Sequence, residues 1–203
     1  MKISVLRKIL IKYLVIILVN ILFSQEEVDA LITEALSGSK EKAINSLPIL
    51  EKKYINNPKV MFLRGLLTYN GEEAKQIFLE LFNSHPNSEY RDDAIMKLAE
   101  YYYASGLYIR SSIWLKKMPM YYSRSNHIER AIKLLLNSFI VSGNKDSAIF
   151  YSNIFKKQFP AIDIDGKLKS LLLNNSDSKE NIDNRSLYNY SLQSGAFSQR
   201  ENA

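Results

Sequence analysis

The stretch that decides the fold is SEYRDDAIMKLAEYYYASGLYIRSSIWLKKM, Ser88–Met118, which carries the pattern of two helices joined by a short turn. In its first half, apolar side chains recur at the i, i+3, i+4, i+7 spacing that places them on one helix face: Ile95, Leu98, Ala99 and Tyr102. Gly106 then predicts a helix end, because glycine adopts the left-handed conformation at little cost. A second helix is predicted from Tyr108, with Ile109 and Ile113 on its apolar face, and it is predicted to stop before Pro119. Neither helix buries its apolar face alone, so this hairpin requires neighbours of its own kind.

The same pattern returns along the chain and predicts four hairpins between Val28 and Pro160. The fourth is predicted to start at Asn126, with Glu129 three residues later as a variant of the capping box. Each second helix carries one small residue near its start, at intervals of 31, 37 and 37: Ala43, Ala74, Ser111 and Ala148. A small side chain lets paired helices approach closely. The predicted fold class is all-α, an α-solenoid of helical hairpins.

Two of these hairpins resemble tetratricopeptide repeats, of the divergent kind found in bacterial periplasmic scaffolds. The residues that carry the resemblance combine a turn glycine with aromatic, small and terminal proline positions: Gly106, Tyr108 and Ser111, then Gly143, Ala148, Phe155 and Pro160. The resemblance covers about Val28–Pro160 and implies a TPR-like solenoid that binds protein partners. The chain departs from the family in lacking the large aromatic residue that opens each first helix and in placing serine at position 111.

Composition and charge exclude several classes of function. The 203 residues are 46% hydrophobic and 24% charged, as in ordinary globular proteins. The net charge is +6. Four of the basic residues fall in the first 24 positions, which leaves 23 basic against 21 acidic residues in the rest of the chain. A nucleic-acid surface is therefore not required. Since the chain has no cysteine, it has no disulfide, thiolate nucleophile, cysteine zinc site or lipid-modified cysteine.

The first 24 residues have the order of a secretory signal peptide. A positive segment with Lys2, Arg7, Lys8 and Lys12 precedes the apolar run 14–23, and Ser24 supplies a small residue at the expected cleavage site. We expect export to the periplasm or cell envelope. An uncleaved membrane anchor is the alternative, although Lys12 and Asn20 interrupt the apolar stretch. Membrane attachment is expected only through such an uncleaved leader.

After the leader, composition divides the chain into three regions. Residues 25–173 form the predicted TPR-like helical domain, in which Lys167–Leu173 is expected to be a capping helix. Residues 174–187 are polar and have no apolar period, which predicts a solvated linker. Residues 188–203 change from a helical period to a period of two, so that Tyr188, Tyr190 and Leu192 share one side of a predicted strand.

The segment YSLQSGAFSQRENA, Tyr190–Ala203, resembles the opening of a SPOR domain, a small α+β module of bacterial cell-envelope proteins. The resemblance covers only the first strand and first helical turn, so the module is incomplete here. It implies binding to peptidoglycan glycan strands that lack stem peptides, as at division sites. Gln193 is then the expected glycan-binding residue, since an amide both donates hydrogen bonds to sugar hydroxyls and accepts them.

Patterns typical of catalysis are missing from the sequence. There is no glycine-rich phosphate loop, no G-x-S-x-G elbow and no H-E-x-x-H motif. His85 and His127 lie at predicted hairpin junctions without acidic residues at metal-ligand spacing. We therefore expect no enzyme activity, no catalytic or metal-binding residues and no cofactor.

Three consecutive tyrosines offer candidate partner-binding residues. Positions 101–103 spread over about 200° of a helix, so at least one of these side chains must leave the core face. Tyr101 and Tyr103 are the candidates for contact with an envelope protein partner, and core packing is the alternative. The sequence thus predicts a non-enzymatic envelope scaffold that binds a protein through its solenoid and peptidoglycan through the SPOR module. The alternatives are an envelope-assembly scaffold without wall binding, or the non-catalytic N-terminal part of a peptidoglycan hydrolase, and the reading frame beyond Ala203 would distinguish them.

Overall fold

The computed structural model of the chain describes residues 12–13 and 27–166, and all regular secondary structure within these ranges is helical. We number the helices in chain order: α1 over residues 27–36, α2 Glu41–Lys53, α3 Pro58–Leu67, α4 Gly71–Ser84, α5 Arg91–Ala104, α6 Tyr108–Leu115, α7 Lys117–Tyr121, α8 Ile128–Val141 and α9 Lys145–Gln158. Residues 12–13 and 164–166 are also helical. The predicted all-α class is thereby confirmed for the described part of the chain. Within that part, no helix has the length and apolar character needed to cross a bilayer.

Several predictions lie outside the described residues. They concern the leader other than residues 12–13, the capping helix Lys167–Leu173, the linker 174–187 and the SPOR-like segment with Gln193.

The chain divides into two compact units, the first ending at Tyr101 and the second starting at Tyr102. In the first unit, α3 packs against both α2 and α4. In the second unit, α8 packs against α6, α7 and α9. In each unit, the first helix of one hairpin therefore packs between its own partner helix and helices of the preceding hairpin. This helix is α3 in the first unit and α8 in the second, as expected for helical repeats.

Three hairpins turn through a glycine in the left-handed conformation. Gly106 has φ +74° and donates its N–H to the carbonyl of Tyr103 at 3.0 Å, while Leu107 donates to the carbonyl of Tyr102 at 2.8 Å. This pair of bonds is a Schellman motif, which satisfies carbonyls that the helix end would leave unpaired. Gly38 and Gly143 make the same pair of bonds at φ +101° and +81°. The predicted turn role of Gly106 and Gly143 is confirmed.

The second helices of the hairpins also end alike. The residue after each helix donates its N–H to the carbonyl four residues earlier, at 2.7–3.1 Å, and accepts a bond from the N–H three residues later: Tyr54, His85, Tyr122 and Phe159. Each lies eleven residues after the small residue that marks the repeat, so the intervals are again 31, 37 and 37. The repeat therefore includes both a close-packing position and a fixed helix end.

The predicted apolar faces are buried in most helices, but α6 differs. Ile109 and Ile113 are 61% and 51% exposed, and the buried residues are Ser111, Ser112 and Leu115. The prediction that the two isoleucines form the buried face was wrong. Helix α6 packs against α8, and small side chains at its buried positions permit a close approach of neighbouring helices. The Ser112 hydroxyl is satisfied by donating to the carbonyl of Ile109 at 2.8 Å.

Two predicted helix ends differ in detail from the structure. Helix α6 ends at Leu115, before Pro119 as predicted, but the chain continues as a further helix, α7, with Pro119 in its first turn. Proline is tolerated there because the first backbone N–H groups of a helix have no intrahelical partner. Asn126 was predicted to cap α8, but the helix starts at Ile128 and its N-cap residue is His127, which makes no side-chain capping bond. The turn before it is stabilised by Ser125, whose Oγ accepts a bond from the N–H of His127 at 3.0 Å.

Candidate interaction surfaces

Tyr101 is half-buried in the first unit and uses its hydroxyl within the protein. The hydroxyl donates to Glu72 Oε2 at 2.6 Å, and Lys75 Nζ lies 5.2 Å from the centre of the tyrosine ring. Glu72 also accepts bonds from Lys75 and Gln76. Hydrogen bonds from Lys75 and then Tyr101 lower the pKa of Glu72 to about 2. The structure therefore places Tyr101 in a charged cluster at the N-terminus of α4.

Tyr103 is half-buried in the second unit. Asn137 Nδ2 donates to its hydroxyl oxygen at 2.5 Å, and its ring lies edge-on to Tyr108 with centroids 5.1 Å apart. Burial, followed by the neighbouring Tyr108, raises the pKa of Tyr103 above its ordinary value. Tyr103 thus contacts both α6 and α8. Partner binding by Tyr101 and Tyr103 stays a prediction, and Gln193 lies outside the described residues.

A charged cluster joins the starts of three first helices in the first unit. Lys59 Nζ donates to Asp29 Oδ2 at 2.7 Å and lies 3.2 Å from Glu89, while the Tyr90 hydroxyl donates to Asp29 Oδ1 at 2.6 Å. The Tyr90 ring stacks on Phe62 with centroids 4.9 Å apart. Burial raises the pKa of Asp29, but hydrogen bonds from Lys59 and Tyr90 outweigh this and hold it below its ordinary value. The cluster fixes the hairpins relative to one another within this unit.

A polar cleft of about 270 Å³, which we call the Arg64 cleft, opens between α2, α3 and α4. The guanidinium of Arg64, which lines the cleft, lies 3.7 Å from Glu51 and 3.6 Å from Glu80. The end of α2, at Tyr54, lines the same cleft. Because the two carboxylates already compensate Arg64, the cleft offers no unbalanced positive charge to an anionic ligand.

The two histidines lie at helix ends, as the sequence predicted. His85 follows α4, and His127 precedes α8. Among residues 12–13 and 27–166, no three His, Asp or Glu side chains come together in a metal-binding arrangement.

The second unit exposes large apolar side chains along α7 and α9. Met120 is 67% exposed, Tyr121 69%, Phe150 61% and Ile154 39%. Beside them lies a groove of about 310 Å³, which we call the α7–α9 groove; its lining residues are Lys116, Pro119, Met120, Tyr121, Tyr151, Ile154, Phe155 and Gln158. Gln158 Nε2 donates to the carbonyl of Pro119 at 3.3 Å and so links the two helices. Single exposed apolar residues are common, but a group beside a groove indicates an interaction surface.

The sequence did not predict this groove because no helix was expected directly after Pro119, so Met120 and Tyr121 were not placed on a helix beside α9. A usable signal is present in α9, where the spacing of Tyr151, Ile154, Phe155 and Gln158 marks one helix face. That face adjoins the one carrying Ala148, Ser152 and Phe155, which is buried. Helix α9 therefore has a wider apolar face than one packing partner requires.

Comparison with known proteins shows similarity to a factor of outer membrane protein assembly. The chain is 22% identical over 174 residues to the outer membrane protein assembly factor BamD of Neisseria meningitidis serogroup A / serotype 4A (strain DSM 15465 / Z2491). The similarity covers 67% of this chain, and the chain spans 65% of the length of that relative. The sequence matches no protein-family model.

Proposed function

We propose that the chain is a non-enzymatic scaffold in the assembly of cell-envelope proteins, and that it acts by binding protein partners on its TPR-like helical hairpins. The observation that carries this proposal is the similarity to an outer membrane protein assembly factor. Repeated helix ends and turn glycines support it, because stacked hairpins present extended surfaces suited to polypeptide partners. The comparison favours an assembly scaffold over the peptidoglycan-binding function that the SPOR-like segment suggests.

An envelope location is part of the same proposal. The order of charge, apolar run and small residue in Met1–Ser24 supports export by a signal peptide. The similarity to a protein named for work at the outer membrane agrees with that destination.

Depletion of this protein in the bacterium that encodes it tests the proposal. We expect the amounts of several outer membrane proteins in the membrane fraction to fall, while soluble periplasmic proteins stay constant as the control. Quantitative mass spectrometry of both fractions measures this. Unchanged outer membrane proteins after complete depletion would contradict an assembly role.

Binding to peptidoglycan is a second candidate function, supported by the resemblance of Tyr190–Ala203 to the opening of a SPOR domain. Gln193 is the proposed glycan-binding residue. The test is retention on sacculi whose stem peptides an amidase has removed, with untreated sacculi as the control. Equal retention on both kinds of sacculi would contradict binding to glycan strands without stem peptides. Unchanged retention after Gln193→Ala would contradict the assignment of Gln193 as the binding residue.

A further inference from the structure

The α7–α9 groove has an apolar α9 side that ends in a polar residue. Tyr151, Ile154 and Phe155 are its apolar residues, and Gln158 follows one turn after Ile154. Ile154 is exposed, whereas Phe155 is buried. Phe150 extends the apolar surface, since its ring lies edge-on to Tyr151 with centroids 5.4 Å apart. Aromatic side chains and methionine, here Tyr121, Phe150 and Met120, are residue types enriched in protein–protein interfaces.

The groove is bordered by positive charge. Lys116 is the basic residue among those that line the groove, and none of the lining residues is acidic. Lys157 is exposed next to Gln158 at the end of α9, whereas Lys156 already pairs with Asp165. This differs from the Arg64 cleft, where Glu51 and Glu80 balance the cation.

The charge of the surrounding unit has the same sign. Residues 102–166 contain nine Lys and Arg against four Asp and Glu, whereas residues 27–101 contain nine against twelve. The excess positive charge of the chain outside its leader therefore lies in the unit that carries the groove. A positive field raises the association rate of acidic partners and opposes basic ones.

We propose that the α7–α9 groove is a docking site for an amphipathic helix of a protein partner, with one apolar face and acidic flanks. The apolar face of that helix lies between Met120 and Tyr121 on one side and Ile154 on the other. Its carboxylates face Lys116 and Lys157. Three features favour this occupant: the exposed apolar side chains of Met120, Tyr121 and Ile154, the two helices that form the groove, and the positive charge of Lys116 and Lys157 at its rim. Binding of an amphipathic helix to such a site is the helix-in-groove mode of recognition. The proposal rests on the scaffold function above and names the chemistry of its partner.

A designed peptide tests the groove directly. The probe is a fluorescein-labelled helix of about 18 residues, with leucines at the i, i+3, i+4, i+7 spacing and glutamates on both flanks. Its control has the same leucines and lysine flanks. We expect the acidic peptide to bind the full chain at least about tenfold more tightly than the basic one by fluorescence anisotropy, and more weakly as salt is raised.

Two variants on α9 provide the matched comparison. Ile154→Glu places a carboxylate in the groove and should weaken the acidic peptide at least about tenfold. Ile149→Glu makes the same change at a residue of α9 that is 46% exposed and does not line the groove, and it should leave affinity unchanged. Lys116→Glu should lower affinity for the acidic peptide and raise affinity for the basic one. Circular dichroism confirms that the variants stay folded.

Three results would overturn the proposal: no binding of the acidic peptide, equal binding of both peptides, or equal effects of the two isoleucine variants. Sedimentation velocity tests a second copy as the occupant, because a dimer that Ile154→Glu dissociates would assign the groove to self-association instead. The peptide titration uses purified protein, so a negative result would contradict the groove proposal without contradicting the scaffold function. Unchanged amounts of outer membrane proteins after depletion would contradict the scaffold function without contradicting peptide binding in the groove.

Discussion

Replacing Gly65 with alanine tests how closely α3 and α4 pack. A Cβ atom at Gly65 would lie 2.5 Å from Phe78 Cε1 and 2.6 Å from Phe78 Cζ, whereas carbon atoms in contact are about 3.5–4.0 Å apart. The ring must therefore retreat by about 1 Å. It has little room to do so, because Phe78 is buried and its centroid is 5.6 Å from that of Phe62, which is buried as well.

Two opposing effects set the size of the change. Alanine in a helix interior is favoured over glycine by about 1 kcal/mol, whereas overpacking a closed core costs about 1–3 kcal/mol. We expect Gly65→Ala to lower the free energy of unfolding by about 1 kcal/mol, measured by urea denaturation with circular dichroism. Gly71→Ala is the control, since its Cβ would approach Tyr101 only to an ordinary 3.4 Å; it should change stability by less than about 0.5 kcal/mol.

A double-mutant cycle separates the clash from helix propensity. Phe78→Leu removes Cε1 and Cζ, the two atoms nearest the new methyl group. In that background Gly65→Ala should be neutral or stabilising, which gives a coupling energy of about 1–3 kcal/mol. A coupling energy below about 0.5 kcal/mol, or a stabilising effect of Gly65→Ala alone, would refute the close packing of α3 on α4 at this point.

Three further predictions concern the turns and charged clusters. Gly106→Ala should lower the free energy of unfolding by about 1–2 kcal/mol, because φ is positive there and no neighbouring atom obstructs the methyl group; a loss equal to that of Gly71→Ala would argue against the Schellman turn. Asp29→Asn should cost about 1 kcal/mol at pH 7. Since the pKa of Asp29 is lowered by folding, its contribution is present above the ordinary value and lost as pH falls through the folded value. Unfolding curves of the variant and the parent should therefore converge at acid pH, and a constant difference would be inconsistent with the ion pair to Lys59. Tyr101→Phe should raise the pKa of Glu72 from about 2, as measured by NMR titration of the side-chain carboxyl carbon, and an unmoved pKa would show that the hydroxyl bond is absent in solution.

Local patterns determined much of the fold. Turn glycines such as Gly106 and small residues such as Ala148 could be identified from the chain alone, because helix ends and amphipathic faces depend on residues within about one or two turns of each other. The all-α class and the sequence of hairpins follow from those local rules. The aromatic or histidine helix ends also had a sequence signal, in the fixed spacing of eleven residues from the small residue.

Tertiary structure decided which apolar face is buried and where polar side chains find partners. Ile109 and Ile113 have the right spacing for a core face, yet the buried side chains of α6 are Ser111, Ser112 and Leu115. The bond from Tyr101 to Glu72 joins residues 29 positions apart. The α7–α9 groove likewise depends on two helices separated in sequence. Periodicity identifies the faces of one helix, but only the packing of other helices determines which face is covered and which remains for a partner.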